Sequence, residues 1–179
     1  MIYAFFDINI YNEREDCEFD LIGEDYRELI ETCCKHCEYF SLIYEYSVYM
    51  KQTDPIWSLL KPFSVKVDPA EFELYCKYRS PLQAKKVFYR ICPETIEILC
   101  THVNSLWSWI YNSEFRNPED LTFYRDDASI FFESVTHDGL CAFHTDENED
   151  ISHIVSHNNW IEYSKLPHYY QNHWIIKPV

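Results

Sequence analysis

The chain has 179 residues, enough for one ordinary domain, and 18% of them are aromatic, which argues against intrinsic disorder. Its 30 acidic and 15 basic residues give a formal net charge of −15, which disfavours binding to nucleic acid and to anionic membranes because both need clustered Lys and Arg. Its two glycines, Gly23 and Gly139, are too few and too far apart for glycine-rich phosphate loops or dinucleotide fingerprints.

The first 50 residues predict a strand, a helix and a second strand. Residues 2–11 and 39–50 alternate between apolar and other side chains, which is the period of a β-strand. Between them, apolar residues recur every three or four positions, so the spacing predicts an amphipathic helix over 24–38. The acidic segment 13–25 is expected to be a solvated connection or a short outer strand.

The middle of the chain predicts short elements followed by a long helix. Residues 54–60 are typical of a short helical turn, and 63–67 and 86–92 are typical of strands. An Asp-Pro start with a capping-box acid predicts a helix over 69–79. The longest apolar stripe predicts a helix over 93–112, which begins at a proline.

The C-terminal part predicts an antiparallel meander formed by strands at 121–125, 129–136 and 140–144. A short helix over 147–156 and a last strand over 160–164 follow. Strands and helices mix without strict βαβ alternation. We therefore expect one α+β domain over the whole chain, with a mainly antiparallel sheet packed against two or three amphipathic helices.

The N-terminal segment has an acidic residue at Asp7 and lacks the basic stretch with which a signal peptide begins. No apolar run approaches the roughly 18 residues of a membrane span. We therefore expect a cytoplasmic protein whose eight cysteines are reduced thiols.

The segment with Cys33, Cys34 and Cys37 contains a CxxC pair, Cys34 and Cys37, which can bind zinc or exchange thiols. A zinc site would need a second pair of ligands, and His153 and His157 are spaced to share one helical face. All three cysteines also lie on the apolar stripe of the predicted helix, where Cys packs as a small hydrophobe. Core packing is the favoured interpretation, and no cofactor is expected.

Histidines are concentrated near the C-terminus, which keeps an enzyme or a metal-binding protein open as an alternative. His137 lies beside Asp138 in a predicted turn, and this carboxylate would orient the imidazole as a base. Together with His144, His153 and His157, it would act with a carboxylate or a thiol. No GxSxG-like nucleophile elbow supports this alternative.

Acidic residues cluster at 13–25, 114–127 and 146–150. If these clusters share a face, they form an anionic patch that would steer a cationic partner. Scattered charges that only keep the protein soluble are the alternative.

Trp107 and Trp109 lie two positions apart on the predicted helix, so only one of them can face the core. Trp107 lies on the apolar stripe, which leaves Trp109 to pack on another element or on a partner. Large rings beside acids are typical of binding hot spots, and ordinary packing is the alternative for this aromatic cluster. In an inhibitor, Trp109, Tyr111 and Tyr124 would anchor the partner.

Residues 117–127 read NPEDLTFYRDD, and residues 131–139 read FFESVTHDG. Over 117–144, the chain resembles small bacterial immunity proteins, which are encoded beside secreted polymorphic toxins. The resemblance implies a protein that binds a cognate toxin in the cytoplasm of the producing cell and blocks it. It implies no catalytic residue.

These observations favour a non-catalytic, immunity-type inhibitor over an enzyme. Its partner would be a basic protein, and neither nucleic acid nor a membrane is expected to bind. The expected binding surface consists of acids and rings, namely Trp109, Tyr111, Glu119, Asp120, Tyr124, Asp126 and Asp127.

Overall fold

The computed structural model describes residues 2–6, 20–45, 55–66, 84–110, 117–136, 139–156 and 160–165. The strands of this part are β1 (Ile2–Phe6), β2 (Tyr39–Glu45), β3 (Ser64–Val65), β4 (Ala84–Arg90), β5 (Glu119–Tyr124), β6 (Ile130–Val135), β7 (Leu140–His144) and β8 (Ile161–Glu162). Its helices are α1 (Glu24–His36), α2 (Pro55–Leu60), α3 (Pro93–His102) and α4 (Ser152–Val155). Short 3₁₀ turns lie at Lys61–Phe63, Leu106–Ser108 and Tyr163–Lys165.

The described strands form one eight-stranded sheet in the order β3-β4-β2-β5-β6-β7-β1-β8. All of its pairings are antiparallel. Strands β5, β6 and β7 are consecutive neighbours, which confirms the predicted meander. The sheet and the helices together confirm the predicted α+β class.

A row of aromatic rings crosses the centre of the sheet. Each of five neighbouring strands contributes one directly paired residue to it: Tyr89, Phe40, Phe123, Phe132 and Phe143. Successive ring centroids are 5.1, 5.9, 6.3 and 5.0 Å apart, and all five side chains are fully buried. Large rings contribute most of the apolar area in a core of this kind. These five rings therefore form part of the interior of the described residues.

Helix α1 packs its apolar stripe against the main core. Tyr26, Leu29, Ile30 and Cys33 are buried at the spacing that the sequence predicts. The predicted helix is confirmed, and it ends at His36 because the next residue is extended.

The predicted helix over 93–112 is wrong for residues 103–110, and residues 111–112 lie outside the described residues. Val103 is extended, with φ −134°. Residues 104–106 form backbone hydrogen bonds with residues 21–23 instead of continuing the helix. Gly23 N donates to Asn104 O at 2.8 Å, and Leu106 N donates to Leu21 O at 3.0 Å. These partners lie more than 80 positions away in the sequence, so the local apolar periodicity does not reveal them.

The opposite face of the sheet carries a second, smaller apolar cluster. The rings of Phe88 and Tyr124 pack with centroids 5.4 Å apart. Four half-buried side chains surround this pair: Tyr39, Val65, Ala128 and Ile130. Because side chains alternate along a strand, this cluster and the aromatic row lie on different faces.

Other predicted elements are shortened or lie outside the described residues. The predicted helix over 147–156 is reduced to α4, because a turn at 146–149, closed by Glu149 N donating to Asp146 O at 3.2 Å, precedes it. The predicted helix over 69–79 lies outside the described residues. So do the strand segments 7–11 and 46–50.

Candidate protein-binding surface

Trp109 is a core residue that packs on another element of the chain, which was one of its two predicted placements, and its predicted role as an anchor for a partner is wrong. Its side chain is fully buried, and its indole Nε1 donates to the hydroxyl of Tyr26 at 2.8 Å. That hydroxyl donates in turn to the carbonyl oxygen of Leu99 at 3.1 Å. The helical geometry assumed for Trp109 does not apply after residue 102, and Trp107 is the half-buried residue of the two.

Tyr124 is also fully buried, which contradicts its predicted role as an anchor for a partner. Its hydroxyl receives a hydrogen bond from Lys86 Nζ at 3.3 Å and lies 3.1 Å from Ser41 Oγ. Tyr111 lies outside the described residues. Among the Phe, Tyr and Trp residues whose side-chain burial the structure describes, none is exposed, so these residues provide no exposed ring as an anchor.

The first predicted acidic pair, Glu119 and Asp120, lies at the start of β5 and serves the fold. Glu119 is fully buried, so its predicted role on the surface is wrong. Asp120 is half-buried, and its Oδ1 accepts a hydrogen bond from the backbone N–H of Thr136 at 3.0 Å. Asp120 has φ 55°, a conformation that Asp tolerates better than most residues. Asp120 therefore ties the start of β5 to the residue that follows β6.

The second predicted pair, Asp126 and Asp127, is exposed in the turn between β5 and β6. Asp127 Oδ1 accepts hydrogen bonds from Ser129 N at 2.9 Å and from Ser129 Oγ at 2.6 Å. These bonds hold the pKa of Asp127 below its usual value, because they favour the ionised carboxylate. Asp126 Oδ1 accepts from Asp127 N at 2.9 Å. Both carboxylates therefore have locally fixed positions.

A second acidic loop, residues 145–150, lies beside this turn because Arg125 bonds to it. Arg125 Nε donates to Glu149 Oε1 at 2.7 Å, and a terminal nitrogen donates to Glu149 Oε2 at 2.6 Å. The two side chains are 11% and 13% exposed, so solvent screens this bidentate pair only weakly. The pair lowers the pKa of Glu149, chiefly through the hydrogen bonds from Arg125. No sequence pattern predicted this contact.

Arg125 uses all five of its N–H donors. Besides Glu149, it donates to Ser129 Oγ at 3.1 Å, to Ile130 O at 2.8 Å and to His144 O at 2.5 Å. Its guanidinium also lies 5.2 Å from the ring centroid of Phe131. One side chain therefore connects the β5–β6 turn, the end of β7 and the loop before α4.

We call the exposed carboxylates of these two segments the acidic end, and they are Asp126, Asp127, Asp146, Glu147 and Asp150. Arg125 is the one Lys or Arg between residues 117 and 156 of the sequence, and Glu149 neutralises it. A second group of exposed acids lies on the helices: Glu24, Asp25, Glu28, Glu31, Glu94 and Glu97. There, exposed Arg27 and Lys35 interrupt the negative charge.

The cysteines of α1 pack in or beside the core. Cys33 and Cys37 are buried, and Cys34 is half-buried. Burial raises the pKa of the Cys34 thiol to about 12 and also raises the pKa of Cys37, which keeps both thiols protonated at neutral pH. Thiol exchange requires the thiolate, so this arrangement favours the packing interpretation over thiol exchange.

His153 and His144 lie on different sides of the sheet. His153 Nε2 is 3.1 Å from the hydroxyl of Thr32 on α1, whereas His144 Nε2 is 2.6 Å from Glu133 Oε1 on the opposite face. Within the described segments, no group of three or more His, Cys, Asp or Glu is arranged to hold a metal ion. His137 and His157 lie outside these segments. The predicted histidine constellation is therefore not brought together by its described members.

None of the described helices combines the length and the apolar character needed to cross a membrane. We found no protein-family model, curated protein or solved structure that matches this chain. The functional proposal therefore depends on the geometry of the chain and on the resemblance over residues 117–144.

Proposed function

We propose that this protein is a non-catalytic, immunity-type inhibitor that binds a cationic toxin or effector through its acidic end. The observation that carries the proposal is the assembly of five exposed carboxylates on two adjacent segments without an exposed Lys or Arg between them. The segment that resembles immunity proteins, residues 117–144, contains β5, β6 and β7 and the acidic turn between β5 and β6.

The acidic end is suited to steering a cationic partner. Exposed charges at the rim of an interface mainly accelerate association and give it a strong dependence on salt. Asp127 and Asp150 accept hydrogen bonds from Ser129 and Ser152, which lower the pKa of each carboxylate. Both therefore keep their charge in mildly acidic solution.

Contact area for a partner is available beside the turn. Ala128 and Ile130 are half-buried and pack against the second apolar cluster. Apolar groups bordered by charges are typical of protein interfaces with a polar rim. The proposal replaces the predicted aromatic anchors Trp109 and Tyr124 with this smaller apolar area.

Co-expression tests the inhibitory role directly. The probe is the domain of a secreted polymorphic toxin, sought among the genes that adjoin the one for this chain, and it is expressed in a bacterial host with and without the protein. We expect the wild type to restore growth and to form a stoichiometric complex with the purified toxin domain. Wild-type protein that neither restores growth nor binds would refute the proposal.

Matched charge variants test the location of the surface. Asp126→Asn with Asp127→Asn removes two charges while each side-chain oxygen can still accept its turn hydrogen bonds. Glu28→Gln with Glu31→Gln removes the same charge from α1. At low salt, we expect the first pair to slow association with the toxin domain about tenfold and the second pair to change it less than about twofold. Equal effects would show that net charge alone matters.

A further inference from the structure

Arg125 occupies an unusual place in an acidic surface, because it is a cation at the centre of the proposed docking site. It bonds to Ser129 and Ile130 on one acidic segment and to His144 and Glu149 on the other. Each contact is at most 3.1 Å long, and the guanidinium has no donor left for a partner.

Glu149 extends the contacts of Arg125 to the backbone of the second acidic segment. Its Oε2, which receives a hydrogen bond from Arg125, also accepts one from the backbone N–H of Asp146 at 2.7 Å. Arg125 therefore orients Glu149, and Glu149 closes the turn that carries Asp146 and Glu147. Arg125 and Glu149 together therefore connect the two acidic segments through side-chain hydrogen bonds.

We infer that Arg125 is the positioning residue of the docking surface, an inference that rests on the proposed function. It holds the two acidic segments at a fixed spacing, so a folded partner meets a preorganised pattern of carboxylates. A charge count gives the opposite expectation, because removing Arg125 makes the protein more negative by one unit. For a rigid cationic partner, the charge count predicts that removing Arg125 raises the affinity, whereas the positioning role predicts that it lowers the affinity.

The experiment compares a flexible and a rigid cation. The flexible probe is a labelled decalysine peptide, and the rigid probe is the toxin domain. The first variant, Arg125→Lys, keeps the positive charge but lacks the planar guanidinium with its five N–H donors. The second is Arg125→Gln. The control, Arg27→Gln, removes an exposed cation from α1. Binding is measured for each variant at several salt concentrations.

We expect Arg125→Gln and Arg27→Gln to bind decalysine equally well or slightly more tightly than the wild type, because a flexible peptide responds to net charge. For the toxin domain, we expect both Arg125 variants to lose about tenfold in affinity and Arg27→Gln to lose nothing. The loss of affinity in Arg125→Lys separates positioning from net charge, because that variant has the wild-type charge.

Folding is monitored by amide hydrogen exchange. Faster exchange confined to residues 126–129 and 145–150 is the expected signature of lost positioning. If an Arg125 variant unfolds globally, Glu149→Gln takes its place, because it weakens the same connection without removing Arg125. Folded Arg125→Lys with wild-type affinity for the toxin domain would overturn the inference. Wild-type protein that does not bind the toxin domain would overturn the proposed function itself.

Discussion

Strand β5 has an acidic pair at each end, and the two pairs have different roles. Glu119 and Asp120 at its start are buried and half-buried, and Asp120 bonds to the backbone of β6. Asp126 and Asp127, just past its end, are exposed, and their hydrogen bonds among the described residues lie within their own turn. Residues of the same chemical type can therefore serve the fold at one end of a strand and remain available to a partner at the other.

The largest expected effect comes from Arg125→Met, which tests whether the acidic end depends on the half-buried ion pair between Arg125 and Glu149. Removing one partner leaves Glu149 half-buried without its cation, so we expect a loss of about 3 kcal/mol in the free energy of unfolding. Urea denaturation followed by circular dichroism measures this change. Arg27→Met, at an exposed position on α1, is the control and should change stability by less than about 0.5 kcal/mol. A small effect at Arg125 would remove the structural basis of the acidic end.

At the start of β5, we expect Asp120→Ala to lose about 2 kcal/mol. Ala cannot accept the hydrogen bond from Thr136 N, and it is less favourable than Asp at φ 55°. Asp120→Asn keeps an acceptor and tolerates this φ, so it should retain most of the stability. Thermal unfolding of the three proteins gives the comparison. Equal losses for Ala and Asn would show that the charge of Asp120, rather than its bond and conformation, is needed.

The pH dependence of the stability of Glu149→Gln tests how much the ion pair between Arg125 and Glu149 contributes to the fold. Hydrogen bonds from Arg125 lower the pKa of Glu149 in the folded state, so this carboxylate contributes stability above its unfolded pKa, and that contribution is lost as the pH falls through the folded pKa. We expect Glu149→Gln to be about 1.5 kcal/mol less stable than the wild type at pH 7. This difference should shrink between pH 5 and pH 3 in urea titrations.

Asp20 provides the matched contrast in the pH experiment. Burial raises its pKa in the folded state, although hydrogen bonds from Ser105 and Trp107 oppose the shift. The stability associated with its protonation is therefore present below its unfolded pKa and is lost as the pH rises through the folded pKa. Asp20→Asn should therefore gain stability relative to the wild type as the pH rises. A parallel pH trend in the Asp20 and Glu149 variants would contradict these assignments.

The smallest expected effect lies in the exposed turn itself. Ala128 has φ 68°, a conformation that disfavours residues with a Cβ. We expect Ala128→Gly to raise the unfolding free energy by about 0.5 kcal/mol, because relief of this strain exceeds the added entropy of the unfolded chain. Thermal unfolding is the measurement. A loss of stability would show that the Ala128 methyl contributes more by packing against Phe88 and Tyr124.

Much of the fold was predictable because it depends on local periodicity. The period of two in β2 and the helical spacing in α1 place Phe40 and Leu29 in the core, as the pattern requires. The β5–β6–β7 meander follows from three short strands and their turns. The same reasoning failed for Trp109, because the chain leaves the helix at residue 103 under the influence of residues 20–23.

The sequence by itself determined the α+β class, the strongly negative charge and the turn that exposes Asp126 and Asp127. The tertiary structure decided which acids are buried, which rings enter the core and how the two acidic segments meet. Those outcomes depend on contacts such as Asp120 with Thr136 and Arg125 with Glu149, whose partners lie 16 and 24 residues apart. A hydrogen bond between distant residues leaves no periodic trace in the sequence, whereas burial along one helix or strand does.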